Sequence, residues 1–309
     1  MKLRLLISVI LSFLIACSSV QAQQFIPLWP KNKMPDSKGL KITDSIARER
    51  AYRVAGPGMY AFCPSKDDNC GAAVLIYPGG GYTHITLNLG RFQLAKWFNT
   101  LGISAFVVEY RLPNSPDVEI SQLAPLQDGQ RALQLVRANA AKWEIDTNKI
   151  GVMGASAGGH LASWVGTAAN DITTLHDDVA SNSSRPDFII LVSPVIDMGK
   201  YAHKGSRESL LGNKPSQDLI DKYSTQNNVT AQTPPCFIAD AFNDKTVPPE
   251  NSLLFYQALL NKKVSTSFHV FPQGGHAINI NNNPGSTSLW KPLCKEWLKE
   301  IGFLSFVKK

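Results

Sequence analysis

A serine flanked by glycines is the residue of this chain whose neighbours best suit it to act as a nucleophile. Ser156 lies in the segment GVMGASAGGHLAS (151–163), where a short apolar stretch gives way to a helical pattern. Gly154 and Gly158 leave room for a sharp strand-to-helix turn, which exposes a serine hydroxyl above the edge of a sheet. The motif is moderately specific, so its interpretation depends on partner residues elsewhere in the chain.

A nucleophilic serine needs a base that accepts its proton, and the chain contains six histidines. His276 lies in FPQGGHAIN, a glycine-flanked segment after the last predicted strand, where the chain order serine, acid, histidine places the base. We therefore predict His276 as the base. A structural role is expected for the other five, which are His84, His160, His176, His203 and His269.

The base in turn needs an acid that orients it, and the segment FIADAFNDKTVPPENS between Ser156 and His276 offers two aspartates. Asp240 falls inside a strand pattern, which favours a structural role. Asp244 lies just beyond that strand, where a carboxylate on a loop can reach an imidazole. We predict Asp244 as the acid.

Three consecutive glycines predict the donors that stabilise a tetrahedral oxyanion. They lie in YPGGGYTHI (77–85), after the first strong strand pattern, and they let backbone N–H groups approach a ligand oxygen without obstruction. We predict an oxyanion hole formed by the N–H groups of Gly80, Gly81 and Ala157. A simple flexible turn would also account for three glycines, but their position relative to Ser156 favours the functional interpretation.

Apolar runs that alternate with amphipathic stretches predict the scaffold around these residues. Strands are predicted at 72–77, 103–110, 149–153, 187–192, 236–241 and 265–271. Helices are predicted at 91–101, 124–143, 158–169, 251–261 and 288–301. This alternation predicts an α/β fold with a mostly parallel, doubly wound sheet and helices on both faces.

Two segments depart from the alternation. Residues 23–58 are rich in Pro, Lys and turn formers, and we expect an extension over the body of the protein with a strand near 52–54. Residues 196–234 are polar with short helical patterns, and we expect them at the carboxyl ends of the strands, where open α/β folds bind ligands. This second segment would contribute to a substrate pocket.

The composition is that of an ordinary globular protein, with 44% hydrophobic and 18% charged residues among 309. The net charge of +7 comes from scattered basic residues, so a nucleic-acid partner is not predicted. The cysteines and histidines lack the spacing of a zinc site, and no metal or other cofactor is predicted. Arg111, Asp128 and Arg131 are interpreted as structural charge pairs or strand-end anchors.

The start of the chain predicts export. A basic beginning precedes an apolar run at 5–16 that is too short to span a bilayer comfortably. The small residues before and at Ala22 favour a signal peptide at 1–22, followed by a single domain at 23–309. Alternatively, LIAC resembles a bacterial lipobox that would acylate Cys17 and anchor the protein to a membrane.

Cysteine spacing fits an oxidising compartment. Cys63 and Cys70 bracket the polar loop PSKDDN, which a disulfide can close. Cys236 and Cys294 lie in apolar patterns and are expected to be buried, free thiols.

Together these residues resemble a family, the serine esterases of the α/β-hydrolase fold, and within it the bacterial acetyl xylan esterase and feruloyl esterase-like group related to the hormone-sensitive-lipase type. The resemblance covers about residues 29–298. It rests on PGGGY (78–82), EYRLP (109–113), 125–163, HKGSRESLLG (203–212), DKTVPPENS (244–252) and GGH (274–276). It implies the same nucleophile, acid, base and glycine loop. Pro78 replaces the histidine of the commoner HGGG loop, which fits the xylan-esterase branch.

The resemblance implies a secreted or periplasmic carboxylic-ester hydrolase that removes acetyl groups from plant polysaccharide such as xylan. A feruloyl esterase uses the same catalytic groups with a roomier acyl pocket, and a serine peptidase is a weaker alternative. A non-catalytic carbohydrate-binding homologue is the alternative from another class, because fold does not imply function. The intact Ser156, Asp244 and His276 argue against it.

Overall fold

The structure is a computed structural model that describes residues 24–87, 92–276, 278 and 280–304. The predicted signal peptide at 1–22 and the alternative lipidation site at Cys17 lie outside the described residues.

Eleven strands are present in the described part of the chain. They are β1 (Phe25–Pro27), β2 (Ser45–Ala47), β3 (Arg50–Arg53), β4 (Gly58–Phe62), β5 (Ala73–Tyr77), β6 (Ile85–Thr86), β7 (Ser104–Glu109), β8 (Ile150–Ala155), β9 (Ile189–Val192), β10 (Cys236–Ala241) and β11 (Thr266–Phe271). Eight of them form one sheet in the order β1-β4-β7-β5-β8-β9-β10-β11, and β2-β3-β6 form a small second sheet.

The α-helices of the described residues are α1 (Gln93–Thr100), α2 (Ala124–Ala138), α3 (Ala157–Thr167), α4 (Lys204–Leu211), α5 (Gln217–Tyr223), α6 (Glu250–Asn261) and α7 (Trp290–Glu300). Single-turn 3-10 helices lie at Lys66–Asp68, Ala140–Trp143, Thr225–Asn228 and Gly285–Leu289. None of these helices has the length and apolar character that a membrane crossing requires.

All six predicted strands are present, as β5 and β7 to β11, and they pair in parallel. The residues of β5, β9 and β10 are buried throughout, as expected for strands covered on both faces. Side chains of the strands alternate between two hydrophobic cores. Leu75 belongs to the core that includes residues of α2, α3 and α6, whereas Ile76 belongs to the core that includes residues of α1 and α7. The predicted α/β fold with helices on both faces is confirmed.

The segment 23–58, expected as an extension over the body of the protein with one strand, contributes strands to both sheets. β1 and β4 add two antiparallel strands to the edge of the large sheet, through β4 pairing with β7. The strand expected near 52–54 is β3, at Arg50–Arg53, and it belongs to the small sheet. β1 and β2 have three residues each, which is too short to produce a detectable alternation.

A buried ion pair fixes the chain at the end of β7. Nη2 of Arg111 lies 2.9 Å from Oδ1 of Asp128, and both side chains are at most 2% exposed. The same carboxylate accepts hydrogen bonds from the indole of Trp29 and the backbone N–H of Arg111. This pair confirms the structural interpretation of Arg111, whereas Arg131 pairs with Asp177 instead.

The four described cysteines are all free. Cys63 is exposed and Cys70 is buried, so the disulfide suggested by their spacing is not formed in the structure. Cys236 and Cys294 are buried and free, as predicted.

Candidate active site

Ser156 occupies a strained turn between β8 and α3. Its φ of 54° and ψ of −125° lie in a region that residues with a side chain rarely adopt. The turn depends on close packing at Gly158, where a Cβ would lie 2.0 Å from the carbonyl oxygen of Tyr77. The glycine therefore lets the start of α3 approach β5, and the serine side chain faces an open cavity.

The three predicted catalytic side chains lie in one hydrogen-bonded chain. Nε2 of His276 lies 2.8 Å from Oγ of Ser156, and Nδ1 of His276 lies 2.7 Å from Oδ2 of Asp244. Because a carboxylate can only accept, Nδ1 carries the proton and the neutral ring leaves Nε2 free to accept the serine proton. This is the arrangement that general-base activation of a serine requires.

Asp244 is held rigidly for this task. Its side chain is fully buried, and Oδ1 accepts hydrogen bonds from the backbone N–H groups of Thr246 and Val247 at 2.8 and 3.0 Å. Those two contacts use one oxygen and leave the other for His276. The turn DKTV, which Phe242 and Asn243 separate from the end of β10, supplies both donors.

Asp240, the alternative acid, is engaged elsewhere. Its two oxygens accept hydrogen bonds from the backbone N–H of Ala241 at 2.7 Å and from the hydroxyl of Ser252 at 2.5 Å. Burial raises the pKa of this carboxyl to about 6. Asp240 has the structural role that its place within β10 predicts.

The loop that carries His276 is fastened by a residue that the sequence analysis missed. The side-chain oxygen of Asn243 accepts a hydrogen bond of 2.8 Å from the N–H of Gly275, the residue before the histidine. Asn243 directly precedes Asp244, so one short segment holds both the acid and the loop of the base. A polar residue beside the predicted acid was the available signal.

The glycine loop after β5 lies beside Ser156. A Cβ on Gly79 would lie 3.2 Å from Cβ of Ser156. Gly80 has a φ of 141°, and a Cβ there would lie 2.0 Å from the carbonyl oxygen of His84. The loop geometry therefore requires glycine at this position, whereas a merely flexible turn would not.

The three predicted oxyanion donors have no hydrogen-bond acceptor among the described residues: they are the N–H groups of Gly80, Gly81 and Ala157. Ala157 is the first residue of α3, where backbone N–H groups lack a partner within the helix and carry a partial positive charge. Gly80, Gly81 and Ser156 line the same cavity. Donors without acceptors in such a place can receive the developing negative charge of an acyl-transfer reaction.

A buried histidine ties the glycine loop to the segment 196–234. Nδ1 of His160 lies 2.8 Å from the hydroxyl of Tyr82, and Nε2 lies 2.8 Å from the carbonyl oxygen of Tyr223. Nε2 therefore donates to the carbonyl, and Nδ1 accepts from the tyrosine. Burial lowers the pKa of His160 to about 4, so the ring stays neutral and structural, as predicted.

The cavity over Ser156 has a volume of about 610 Å³. Its apolar lining includes Leu94, Met153, Val192, Ile278, Ile280 and Trp290. Its polar lining includes Arg50, Thr83, His84, Thr86, His203 and His276. The size is within the range of about 300–1,000 Å³ that is usual for small-molecule sites.

His203 lies in this cavity, although the sequence analysis assigned it a structural role. Its Nδ1 caps α4 by accepting a hydrogen bond from the N–H of Ser206, so the neutral ring carries its proton on Nε2. That Nε2–H has no partner among the described residues. Burial, followed by the nearby His276, lowers the pKa of His203, which keeps the ring a neutral donor.

The prediction that 196–234 contributes to the pocket is confirmed, because His203 and Gly205 line the cavity. Within the part of the chain that the structure describes, no group of three or more His, Cys, Asp or Glu side chains is arranged to hold a metal ion.

Comparison with known proteins places this site in context. The sequence profile of the BD-FAE family matches residues 60–259. Endo-1,4-beta-xylanase B of Butyrivibrio fibrisolvens is 34% identical over 254 residues, which are 81% of this chain and 39% of that protein. The acetylxylan esterase of Xylanibacter ruminicola is 36% identical over 227 residues, which are 72% of this chain and 44% of that protein. The chain thus spans about two fifths of the length of these curated relatives.

A solved structure shares the fold over nearly the whole chain. The acetyl ester-xyloside bifunctional hydrolase from Caldicellulosiruptor lactoaceticus superposes with a TM-score of 0.81 at 36% sequence identity. The match covers 93% of this chain and 100% of that one.

Proposed function

The chain belongs to the BD-FAE family, and from this membership we propose that it hydrolyses carboxylic esters through an acyl-enzyme formed on Ser156. The membership confirms the resemblance to the acetyl xylan esterase and feruloyl esterase-like group of α/β-hydrolases. The observation that carries the mechanistic proposal is the hydrogen-bonded chain from Ser156 through His276 to Asp244. Unpartnered N–H groups beside the serine complete the requirements of acyl transfer.

In the first half of the proposed reaction, Oγ of Ser156 attacks the ester carbonyl carbon while Nε2 of His276 takes the hydroxyl proton. The carbonyl oxygen becomes an oxyanion that accepts hydrogen bonds from the N–H groups of Gly80, Gly81 and Ala157. The intermediate then expels the alcohol, which leaves with the proton from Nε2. Asp244 stabilises the imidazolium throughout without taking a proton itself.

In the second half, a water molecule attacks the acyl carbon of the ester on Ser156. Nε2 of His276 accepts a proton from that water and returns it to Oγ when the acid leaves. The enzyme regains its starting state, and the proposed reaction requires no cofactor.

We propose acetylated plant polysaccharide such as xylan as the substrate. The names of the similar proteins, an acetylxylan esterase, a xylanase and an acetyl ester-xyloside hydrolase, support this class of substrate. Arg50 and Thr83 line the cavity and are exposed, so a sugar chain attached to the ester can extend from the cavity into solvent there.

Feruloyl ester hydrolysis is the second candidate, and one observation favours it. The apolar part of the cavity is lined by Trp290 and several aliphatic side chains, and the cavity is larger than an acetyl group requires. An aromatic acyl group would pack against that indole.

Release of acetate and of ferulate from acetylated, feruloylated xylan oligosaccharides tests both candidates. We expect acetate from the wild type and none from Ser156→Ala, whereas Ser181→Ala, a change at an exposed serine, should behave as the wild type. Release of ferulate alone would move the assignment to the second candidate. Cleavage of a small chromogenic acetyl ester with neither acid released would refute the polysaccharide substrate but not the serine chemistry.

We also propose that the protein is secreted or periplasmic, with a lipid anchor at Cys17 as the alternative. The sequence of the first 22 residues supports export. The mass of the amino-terminal peptide from protein exported by a bacterial host distinguishes the two outcomes. A peptide that begins at Gln23 supports signal cleavage, and an acylated Cys17 supports the anchor.

A further inference from the structure

The small sheet β2-β3-β6 borders the cavity through one residue of β3 and one of β6. β2 and β3 are joined by a two-residue turn, in which Arg48 and Glu49 have φ values of 49° and 58°. This is the geometry of a tight hairpin turn that matches the twist of its strands. Arg50, the first residue of β3, pairs with Thr86 of β6, and both residues line the cavity.

β3 presents a cation and an aromatic ring toward the same side. Because side chains alternate along a strand, Arg50 and Tyr52 point outward while Ala51 between them is buried. The Tyr52 ring is 42% exposed, and its centroid lies 5.6 Å from that of His84 in the loop before β6. Arg50, Tyr52 and His84 thus form one surface, the outer subsite, at the cavity mouth.

The described residues that line the cavity carry a positive charge and no negative charge. Arg50 is the only permanently charged side chain among the described residues that line the cavity, and no carboxylate lies among them. Its guanidinium has no acidic partner in the described part of the chain. An exposed guanidinium beside an ester-cleaving cavity is suited to an anionic part of the substrate.

His84 supplies an acceptor in the outer subsite. The hydroxyl of Thr83 donates to the carbonyl oxygen of Gly80 at 3.0 Å, so it accepts a hydrogen bond of 3.0 Å from Nδ1–H of His84. Nε2 of the neutral ring is then an acceptor with no partner among the described residues. Burial, together with the nearby positive charge of Arg50, lowers the pKa of His84 and keeps that ring neutral.

We propose that the outer subsite binds a carboxylate-bearing sugar, a uronic acid, carried by the acylated polysaccharide. Arg50 would hold the carboxylate through its planar, multiply donating guanidinium. The exposed ring of Tyr52 would pack on the sugar face, and Nε2 of His84 would accept a hydrogen bond from a sugar hydroxyl. This inference rests on the proposed function, because the sugar belongs to the same molecule as the ester.

The test compares two acetylated xylo-oligosaccharides of equal length, one with a glucuronic acid branch and one without. We expect the wild type to show a kcat/KM about tenfold higher for the branched substrate, the scale of one charge-assisted hydrogen-bonded contact. The preference should shrink as salt is raised, because the subsite is open to solvent.

Arg50→Gln should abolish the preference, bringing the ratio of the two kcat/KM values close to one. Arg53→Gln is the matched control, since Arg53 is on the same strand but donates to the carbonyl oxygen of Thr43 and does not line the cavity. It should keep the preference. Tyr52→Ala should lower kcat/KM for both substrates alike, because ring packing does not depend on charge.

Equal rates on the two substrates in the wild type, or a preference that survives Arg50→Gln, would overturn the proposal. If the wild type cleaves a small chromogenic acetyl ester but neither oligosaccharide, the proposed polysaccharide substrate is wrong. A binding measurement then tests the outer subsite independently of ester hydrolysis. Calorimetry with the deacetylated branched tetraose and Ser156→Ala should then show an affinity about tenfold higher than that of Ser156→Ala combined with Arg50→Gln. Equal affinities would refute the subsite.

Discussion

Replacing Asp244 by asparagine should disable the site through the tautomer of His276. Oδ1 of Asp244 accepts hydrogen bonds from two backbone N–H groups, and Oδ2 accepts one from Nδ1–H of the histidine. In Asp244→Asn the amide oxygen must occupy the place that faces the two N–H groups, which puts the amide NH₂ opposite Nδ1. Two donors cannot face each other, so the ring proton moves to Nε2.

A protonated Nε2 cannot accept the proton of Ser156, from which it is separated by 2.8 Å. We expect kcat to fall by about 10⁴-fold, the scale known for this change in serine hydrolases, which corresponds to about 5 kcal/mol of transition-state stabilisation. KM should change little, because Asp244 is buried behind the histidine and does not line the cavity.

The assay is the hydrolysis of a small chromogenic acetyl ester at neutral pH, with thermal unfolding as a check on the fold. Asp240→Asn is the matched control: it lies four residues earlier, is equally buried and bonds to Ser252 rather than to His276. It should retain most of the activity. An Asp244→Asn enzyme within tenfold of the wild type, or an equal loss in the control, would refute this account of the acid.

Three further outcomes follow from the structure. Burial raises the pKa of Asp240 from 3.8 to about 6, so the wild type loses stability as pH rises through that range and the buried carboxyl ionises. At pH 8 the free energy of unfolding of Asp240→Asn should therefore exceed that of the wild type by up to about 3 kcal/mol, with a higher unfolding temperature, and this gain should be absent below about pH 4. Arg111→Met should lower the free energy of unfolding in urea by about 3–5 kcal/mol, because it leaves Asp128 buried without its cation. Tyr82→Phe should leave Nδ1 of His160 unpartnered and lower kcat more than it changes KM, although by less than the roughly 10²-fold expected for losing an oxyanion donor.

The convergence of Ser156, His276 and Asp244 could be predicted from sequence because each residue has a local signal. Ser156 has a glycine-flanked turn, His276 has a glycine-flanked loop after the last strand, and Asp244 lies just beyond a strand. The fixed chain order of the three then limits the choices to very few. The parallel strands could be predicted equally well, since burial on both faces of a sheet produces uninterrupted apolar runs in the sequence.

Residues whose role depends on distant partners could not be predicted in this way. His203 is near the beginning of the polar segment 196–234, and only the fold brings it to a cavity formed largely by other elements. The contact of Tyr82 with His160 joins residues 78 positions apart. The antiparallel strands β1 and β4 contain Pro27 and Gly58, residues that are depleted in strands, so their pairing is decided by tertiary contacts.

The proposed role of Ser156 as the nucleophile is tested by peptide mapping by mass spectrometry after the protein has reacted with a fluorophosphonate. We expect a single adduct on Ser156, no adduct in Ser156→Ala, and much slower labelling in His276→Ala, because the base activates the serine. An adduct on another residue, or ester hydrolysis that continues while Ser156 stays unlabelled, would contradict this role.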